Sequence, residues 1–306
     1  MKFNLSLPNN QQVAAITYPW MRKLGGPEFQ RILATADELG YHKVTVGEHL
    51  AIPHNHVADS GTHYMQATTI LGYLAACTPR MRVGSNITLL ALQNPIVQAK
   101  MWAVLDWVSG GRADINIGVG WLKEEFDILG VDFRKRGRIV DEYVEAMIEI
   151  WTNTSASYHG EFVSFEGVGS DPKPTQKPYP PLWFAGDAPA VMERVARWGS
   201  GWSPYQTPLE RFPEQIDRIT SSRHYQGRPI EIYYNLLNLE LGLNHVAKTS
   251  EHNLSGWNAD CIAERIHWLG ELGVTEVSAP LTKTDSIEEY LDRLRWVAEE
   301  VFPLVG

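Results

Sequence analysis

Residues 109–121 read SGGRADINIGVGW. Within this stretch Ile115, Ile117 and Val119 alternate with Asp114, Asn116 and Gly118, the two-residue period of a β-strand with one apolar face and one small or polar face. The apolar face is expected to meet covering helices. The strand, over Ala113–Val119, runs out into Gly118 and Gly120, where a packed core would prefer larger side chains. Two explanations stay open: missing side chains let a ligand approach the backbone at the C-terminal end of a strand, or the glycines relieve crowding at a rim. WLKEEFDILG follows at 121–130 and reads as a short helix whose first N–H groups would suit an anion. Gly118–Lys123 lacks the third glycine of a dinucleotide fingerprint, and the first strand-to-helix turn of the chain has no such motif.

Outward from this strand the pattern repeats. Strands are expected at Lys2–Leu7, Lys43–Gly47, Arg82–Leu89, Leu182–Ala185, Gly201–Ser203, Glu231–Leu236 and Thr275–Ala279. Helices are expected at Pro27–Gly40, His63–Thr78, Pro95–Ser109, Arg138–Thr152, Pro189–Gly199, Pro208–Ser222, Asp260–Gly273 and Ile287–Phe302, several of them opening on Pro or closing on Gly. Eight alternations without a change of composition predict one (β/α)8 barrel spanning residues 1–306, not an open doubly wound sheet. One departure is the segment 155–181 between helix 4 and strand 5, which starts like a hairpin and ends Pro-rich; it reads as an insertion, not a domain.

Composition narrows the function. Of 306 residues 44% are apolar and 21% charged, enough for a sizeable core, and the net charge of −9 with no basic run beyond RKRGR at 134–138 argues against nucleic acid. Cys77 and Cys261 both fall in helical patterns and form neither a disulfide framework nor a metal cluster. No signal peptide or membrane-length apolar run is visible, so a cytoplasmic location and a small-molecule substrate are expected.

GEH at 47–49, VGSNITLLALQNPIVQAKMWAVLDWVSGGR at 83–112, GVGWLKEEFDILGVDF at 118–133, and RG followed by DEYVEAMIEIW together resemble the luciferase-like monooxygenase superfamily, and within it the coenzyme F420-dependent oxidoreductases. PYPPLWFAGD and RVARWGSGWSP resemble the region of strands 5 and 6 in the same family. The resemblance covers residues 1–205 and is carried by the combination of pieces. It implies a barrel that binds F420, or alternatively FMN, at its C-terminal mouth and transfers a hydride to or from a small carbonyl, enone or alcohol. Such barrels usually pair, so a homodimer through the apolar helices near strands 2 and 4 is expected.

The resemblance also implies site residues. Gly118, Val119, Gly120 and Trp121 match the turn that lies against the cofactor, and Ala185, Gly186 and Asp187 match a second, phosphate-side turn that is usually Gly-Gly. Asp187 departs from it, and a carboxylate beside a phosphate repels unless it points away. Asn86–Ile87 matches a non-prolyl cis peptide behind the ring. His49 matches a histidine at the end of strand 2 close to the reactive face, and imidazole chemistry suits it to exchange a proton there. Glu48 is either a carboxylate that orients polar groups inside the barrel or a buried, paired structural residue. Some members carry a second acid soon after the strand-4 glycines; Lys123 holds that position here, with Glu124 and Glu125 next, so no second catalytic acid is assigned. Lys123, Arg134, Lys135 and Arg136 would either gather around an anionic tail or form a solvated face.

Among the remaining residues, Tyr18, Trp20, Trp121, Trp202 and Tyr205 fall in loops on the catalytic side and are expected to wall an apolar substrate pocket, whereas Trp102, Trp107, Trp151 and Trp268 recur on helices as core. Arg112 begins strand 4 and reads as structural. Glu48, His49, His54, His56, Asp59 and His63 invite a metal reading, but the ends of strands 6 and 8 supply no further ligand, and no metal is expected. A flavin-binding protein without turnover is a further alternative.

Overall fold

The computed structural model describes residues 1–13, 16–236 and 258–306. Strands β1 (Lys2–Ser6), β2 (Lys43–Val46), β3 (Arg82–Ser85), β5 (Ala113–Gly118), β8 (Leu182–Ala185), β9 (Gly201–Ser203), β10 (Glu231–Tyr234) and β11 (Glu276–Ser278) pair in parallel in that order around a closed ring. The ring closes where β11 meets β1 and where β3 meets β5. Helices α1 (Gly26–Leu39), α3 (Ala67–Cys77), α4 (Pro95–Val108), α6 (Arg136–Thr152), α7 (Pro189–Trp198), α8 (Phe212–Thr220), α9 (Ala259–Glu271) and α10 (Ile287–Trp296) cover it, with short helices α2 (Val57–Ser60) and α5 (Lys123–Ile128) at the mouth. This is the (β/α)8 barrel.

The expected β5 alternation decides which side each residue takes. Ile115 and Ile117 are buried against the helices, while Asp114 and Asn116 line a small pocket inside the barrel. The barrel floor is ionic: Lys43 lies 2.7 Å from Asp114 and 2.9 Å from Glu276, Arg82 Nε donates to Asp114 at 2.9 Å, and Asn4 donates to Glu276 at 2.7 Å. Burial alone would raise the Glu276 carboxyl pKa, but His42, Lys43 and Asn4 outweigh it and hold the group far below the usual carboxylate range. Arg112 closes the same end, donating to the carbonyls of Met81 (2.6 Å) and Ala75 (3.0 Å).

Two strand bounds, Leu182–Ala185 and Gly201–Ser203, fall where the alternation places them. The run Arg82–Leu89 is not one strand: it breaks at Asn86–Ile87, a cis bond, and resumes as β4 (Thr88–Leu89). The helix expected from His63 starts at Ala67, where the Gln66 side chain accepts from Thr69 N–H at 2.8 Å. The insertion opens as an antiparallel hairpin, β6 (Ala156–His159) with β7 (Ser164–Val168), tied to α6 by Glu142, whose carboxylate accepts from the N–H groups of Glu161, Phe162 and Val163. Trp102 and Trp151 are core as expected, but Trp107 and Trp268 are 60% and 38% exposed, because their helix positions face away from the barrel. No described helix is long and apolar enough to cross a membrane.

Candidate active site

At the C-terminal mouth the loop after β2 meets α5. His49 Nδ1 lies 2.7 Å from Glu125 Oε2, and Glu125 Oε1 accepts from the N–H groups of Leu50 (2.6 Å) and Ala51 (3.0 Å). A carboxylate only accepts, so Nδ1 carries the proton and Nε2 is the ring nitrogen left for chemistry. Burial pushes the Glu125 pKa up, but His49 and the Ala51 and Leu50 N–H groups outweigh it, and the group stays below the usual carboxylate range. Tyr64 packs edge-on to His49 with ring centres 4.8 Å apart. Burial, with the Glu125 charge, pushes its phenol up to about 12, so it stays protonated.

Glu125 is the residue that the sequence reading left unassigned. It lies two positions past the expected site, and the turn of α5 directs Glu125 inward and its neighbour Glu124 outward, to His56 at 3.5 Å. Trp121, 48% exposed, stands between these two pairs, with its ring 6.2 Å from that of His49 and 5.9 Å from that of His56.

Glu48 is the buried, paired structural residue of its two readings. It accepts from Thr88 Oγ1 (2.8 Å), Leu89 N–H (3.1 Å), Gln93 Nε2 (3.1 Å) and Ala67 N–H (3.3 Å), which leaves its carboxylate engaged in joining β4 to the start of α3. Both mouth glycines are required by the chain itself. A Cβ on Gly118 would lie 1.9 Å from Ile87 Cδ1; one on Gly120, at φ +79°, would lie 2.7 Å from Phe126 Cε2. Packing alone therefore disfavours a side chain at either position, whether or not a ligand also approaches the backbone there, and a side chain at Gly120 would not leave the barrel undisturbed. Val119 is half-buried beside them.

Trp202 is not a pocket residue. On β9 its side chain points outward, is fully buried against Phe212 at 5.0 Å between ring centres, and donates to Gly186 O at 2.8 Å. Trp20 is fixed at the rim by its bond to Thr284 O (2.7 Å) and by Tyr290; Tyr18 is half-buried, and burial raises its phenol. Tyr205 is 41% exposed and its N–H donates to Asp187 at 2.9 Å. Half-buried Ala185 and Gly186 end β8 next to that carboxylate. Lys123 pairs with Asp127, Lys135 with Glu161, and Arg136 holds Gly120 O at 3.0 Å, so these three cations are engaged locally. His63 Nε2 donates to Asn9 O at 3.0 Å, and no group of three metal-ligating side chains converges among the described residues. Residues 237–257 lie outside the described residues.

Below the mouth, Asn116 Nδ2 donates to Asn86 Oδ1 at 3.0 Å, while Asn116 Oδ1 is buried without a hydrogen-bond partner among the described residues. Ser85 completes this part of the lining.

Comparison with known proteins shows what the fold and the sequence are similar to. The chain is 30% identical over 173 residues to the FMNH2-dependent dimethylsulfone monooxygenase of Pseudomonas putida, covering 56% of this chain and 47% of that one. Its fold is similar to monooxygenase RslO1 of Streptomyces bottropensis (TM-score 0.79, 24% identity, all of both chains). It is also similar to the coenzyme F420-dependent tetrahydromethanopterin reductase of Methanopyrus kandleri (TM-score 0.72, 16% identity, 100% of this chain and 99% of that one). The sequence profile of luciferase-like monooxygenases matches residues 1–247, and the chain belongs to that family.

Proposed function

We propose that the chain is an F420-dependent oxidoreductase that moves a hydride between the deazaflavin and a small carbonyl, enone or alcohol. The observation that carries this reading is the His49–Glu125 pair at the barrel mouth. The residues present fit such a ring: Asn116 Oδ1 lacks a donor among the described residues, and an imide N–H, which F420 and FMN both carry, is one. Asn86 and Asn116 would hold the polar edge of the ring, and Trp121 and Leu50 would supply apolar surroundings. The bound deazaflavin supplies the hydride carrier.

The chain's own residues manage the proton. Reduction of a carbonyl needs a proton on the new alkoxide oxygen, and Nε2 of a His49 imidazolium donates it; in the reverse direction neutral Nε2 takes the hydroxyl proton. Glu125 fixes the tautomer and stabilises the imidazolium, and Tyr64 holds the ring edge-on. A second reading, an FMN-dependent monooxygenase, is supported by the named activity of the Pseudomonas relative.

Titration of purified protein with F420 and with FMN, followed by cofactor fluorescence, and then anaerobic mixing with a panel of carbonyls, enones and alcohols, tests the choice. Tighter F420 binding with substrate-dependent bleaching or recovery is expected. FMN-specific binding with turnover only under reductant and oxygen would replace the reading; binding without turnover across the panel would favour a flavin carrier. We also propose that two copies pair through α3 and α4, because α4 exposes Val97, Trp107 and Val108 and the neighbouring α3 exposes Tyr73.

A further inference from the structure

The turn after β8 holds a carboxylate in a place built for an anion. Asp187 Oδ1 accepts from Tyr205 N–H (2.9 Å), Thr207 N–H (3.0 Å) and Thr207 Oγ1 (2.5 Å), and Oδ2 accepts from Gln206 N–H (2.8 Å). Three successive backbone N–H groups and a hydroxyl converge on one point at the C-terminal rim. Such a concavity of backbone donors binds phosphates and carboxylates alike. Helix α7 begins two residues later, at Pro189, with no side-chain cap at Ala188, so no other side chain neutralises its first turn. A phosphate monoester, as in FMN, brings about −1.5 to −2 charges and three terminal oxygens, and a phosphodiester, as in F420, brings one charge and two. Asp187 brings one charge and two oxygens, and it already holds the donors.

We propose that Asp187 is an internal anion that occupies the phosphate position of this rim, so that the Gly186–Asp187 turn does not hold a cofactor phosphate and does not select for one. The proposal rests on the reading that the mouth takes a flavin or deazaflavin. It makes residue 187 the determinant of whether the cofactor's phosphate contributes to affinity at this corner: with the carboxylate removed, the same donors face an empty concavity.

The test compares dissociation constants, by fluorescence, for FMN against riboflavin and for F420 against its phosphate-free deazaflavin riboside, in the full chain carrying Asp187, Asp187→Gly or Asp187→Asn. Thermal melting of each protein in inorganic phosphate, against chloride at matched ionic strength, runs alongside. Asp187→Gly is expected to raise the preference for the phosphorylated partner at least tenfold over the native chain, and to gain more thermal protection from phosphate. Asp187→Asn keeps one acceptor oxygen and loses the charge; a rise of at least threefold is expected, and it carries the test if the glycine variant does not fold. Unchanged preferences in a folded variant, with no extra protection by phosphate, overturn the proposal. If none of the ring compounds binds any of the proteins, the cofactor reading falls, and melting in phosphate still decides the role of Asp187.

Discussion

Replacing Glu125 separates its two duties, holding the loop after β2 and setting the tautomer of His49. Glu125→Ala leaves the Leu50 and Ala51 N–H groups and His49 Nδ1 without their acceptor. A buried donor left unpaired costs about 1–3 kcal/mol, so two backbone donors give a loss of roughly 2–6 kcal/mol. For a chain of this size that corresponds to a fall in Tm of roughly 3–9 °C. Glu125→Gln is different: its amide oxygen still serves both backbone donors, which turns the amide NH2 toward His49. Nδ1 must then accept, and the proton moves to Nε2. The Tm of Glu125→Gln is expected to fall by less than half as much as that of Glu125→Ala. Nitrogen NMR of the labelled imidazole is expected to show Nδ1–H in the native chain and Nε2–H in the Gln variant. Loss of the right tautomer at a general acid–base should slow turnover by about 10²–10⁴-fold. An Nε2–H imidazole in the native protein, or an unchanged tautomer in Glu125→Gln, would refute the reasoning.

Other perturbations follow from the packing and the charges. Gly118→Ala drives a methyl group into Ile87 and should lower stability by about 1–3 kcal/mol in chemical denaturation; adding Ile87→Ala should recover part of that loss, and simple additivity of the two would sink the explanation. Lys43→Met leaves Asp114 and Glu276 buried without their shared cation, and a loss of about 3–5 kcal/mol is expected. Because Glu276 is depressed in the fold, its stabilisation is complete above the ordinary carboxylate pKa of about 4.3 and is lost as pH falls through its folded value. Glu276→Gln should therefore flatten the acid limb of the stability profile. Trp107→Glu places a charge on the exposed α4 face; light scattering is expected to report a dimer for the native chain and a monomer for this variant, and an unchanged mass would remove the α4 interface.

Why so much of the barrel is visible in the sequence is clear from β5, where Asp114, Asn116 and Gly118 go inward and Ile115 and Ile117 outward, as alternation requires. Alternation also explains the error at Trp202: a three-residue strand offers too few positions to fix its phase, and the side chain belongs to the outer core instead of the mouth. Gly118 and Gly120 look alike in the sequence under either explanation, and the crowding by Ile87 and Phe126 is visible only once the loops are folded. The His49–Glu125 pair joins residues 76 positions apart, and Asp187 meets donors 18 to 20 positions away. Contacts of that kind follow from how the loops fold over the rim, which no local pattern encodes. The resemblance points to His49 but not to the carboxylate that orients it.

The proton role of His49 is the centre of this account, and single-turnover kinetics of F420-loaded protein with a responsive substrate test it most directly. His49→Asn keeps a hydrogen-bonding group but cannot titrate near neutrality. It should react about 10²–10⁴-fold more slowly than the native chain, with the F420 dissociation constant little changed. Near-native hydride transfer in His49→Asn would contradict the account, since the proton would then come from another donor and His49 would only position the substrate.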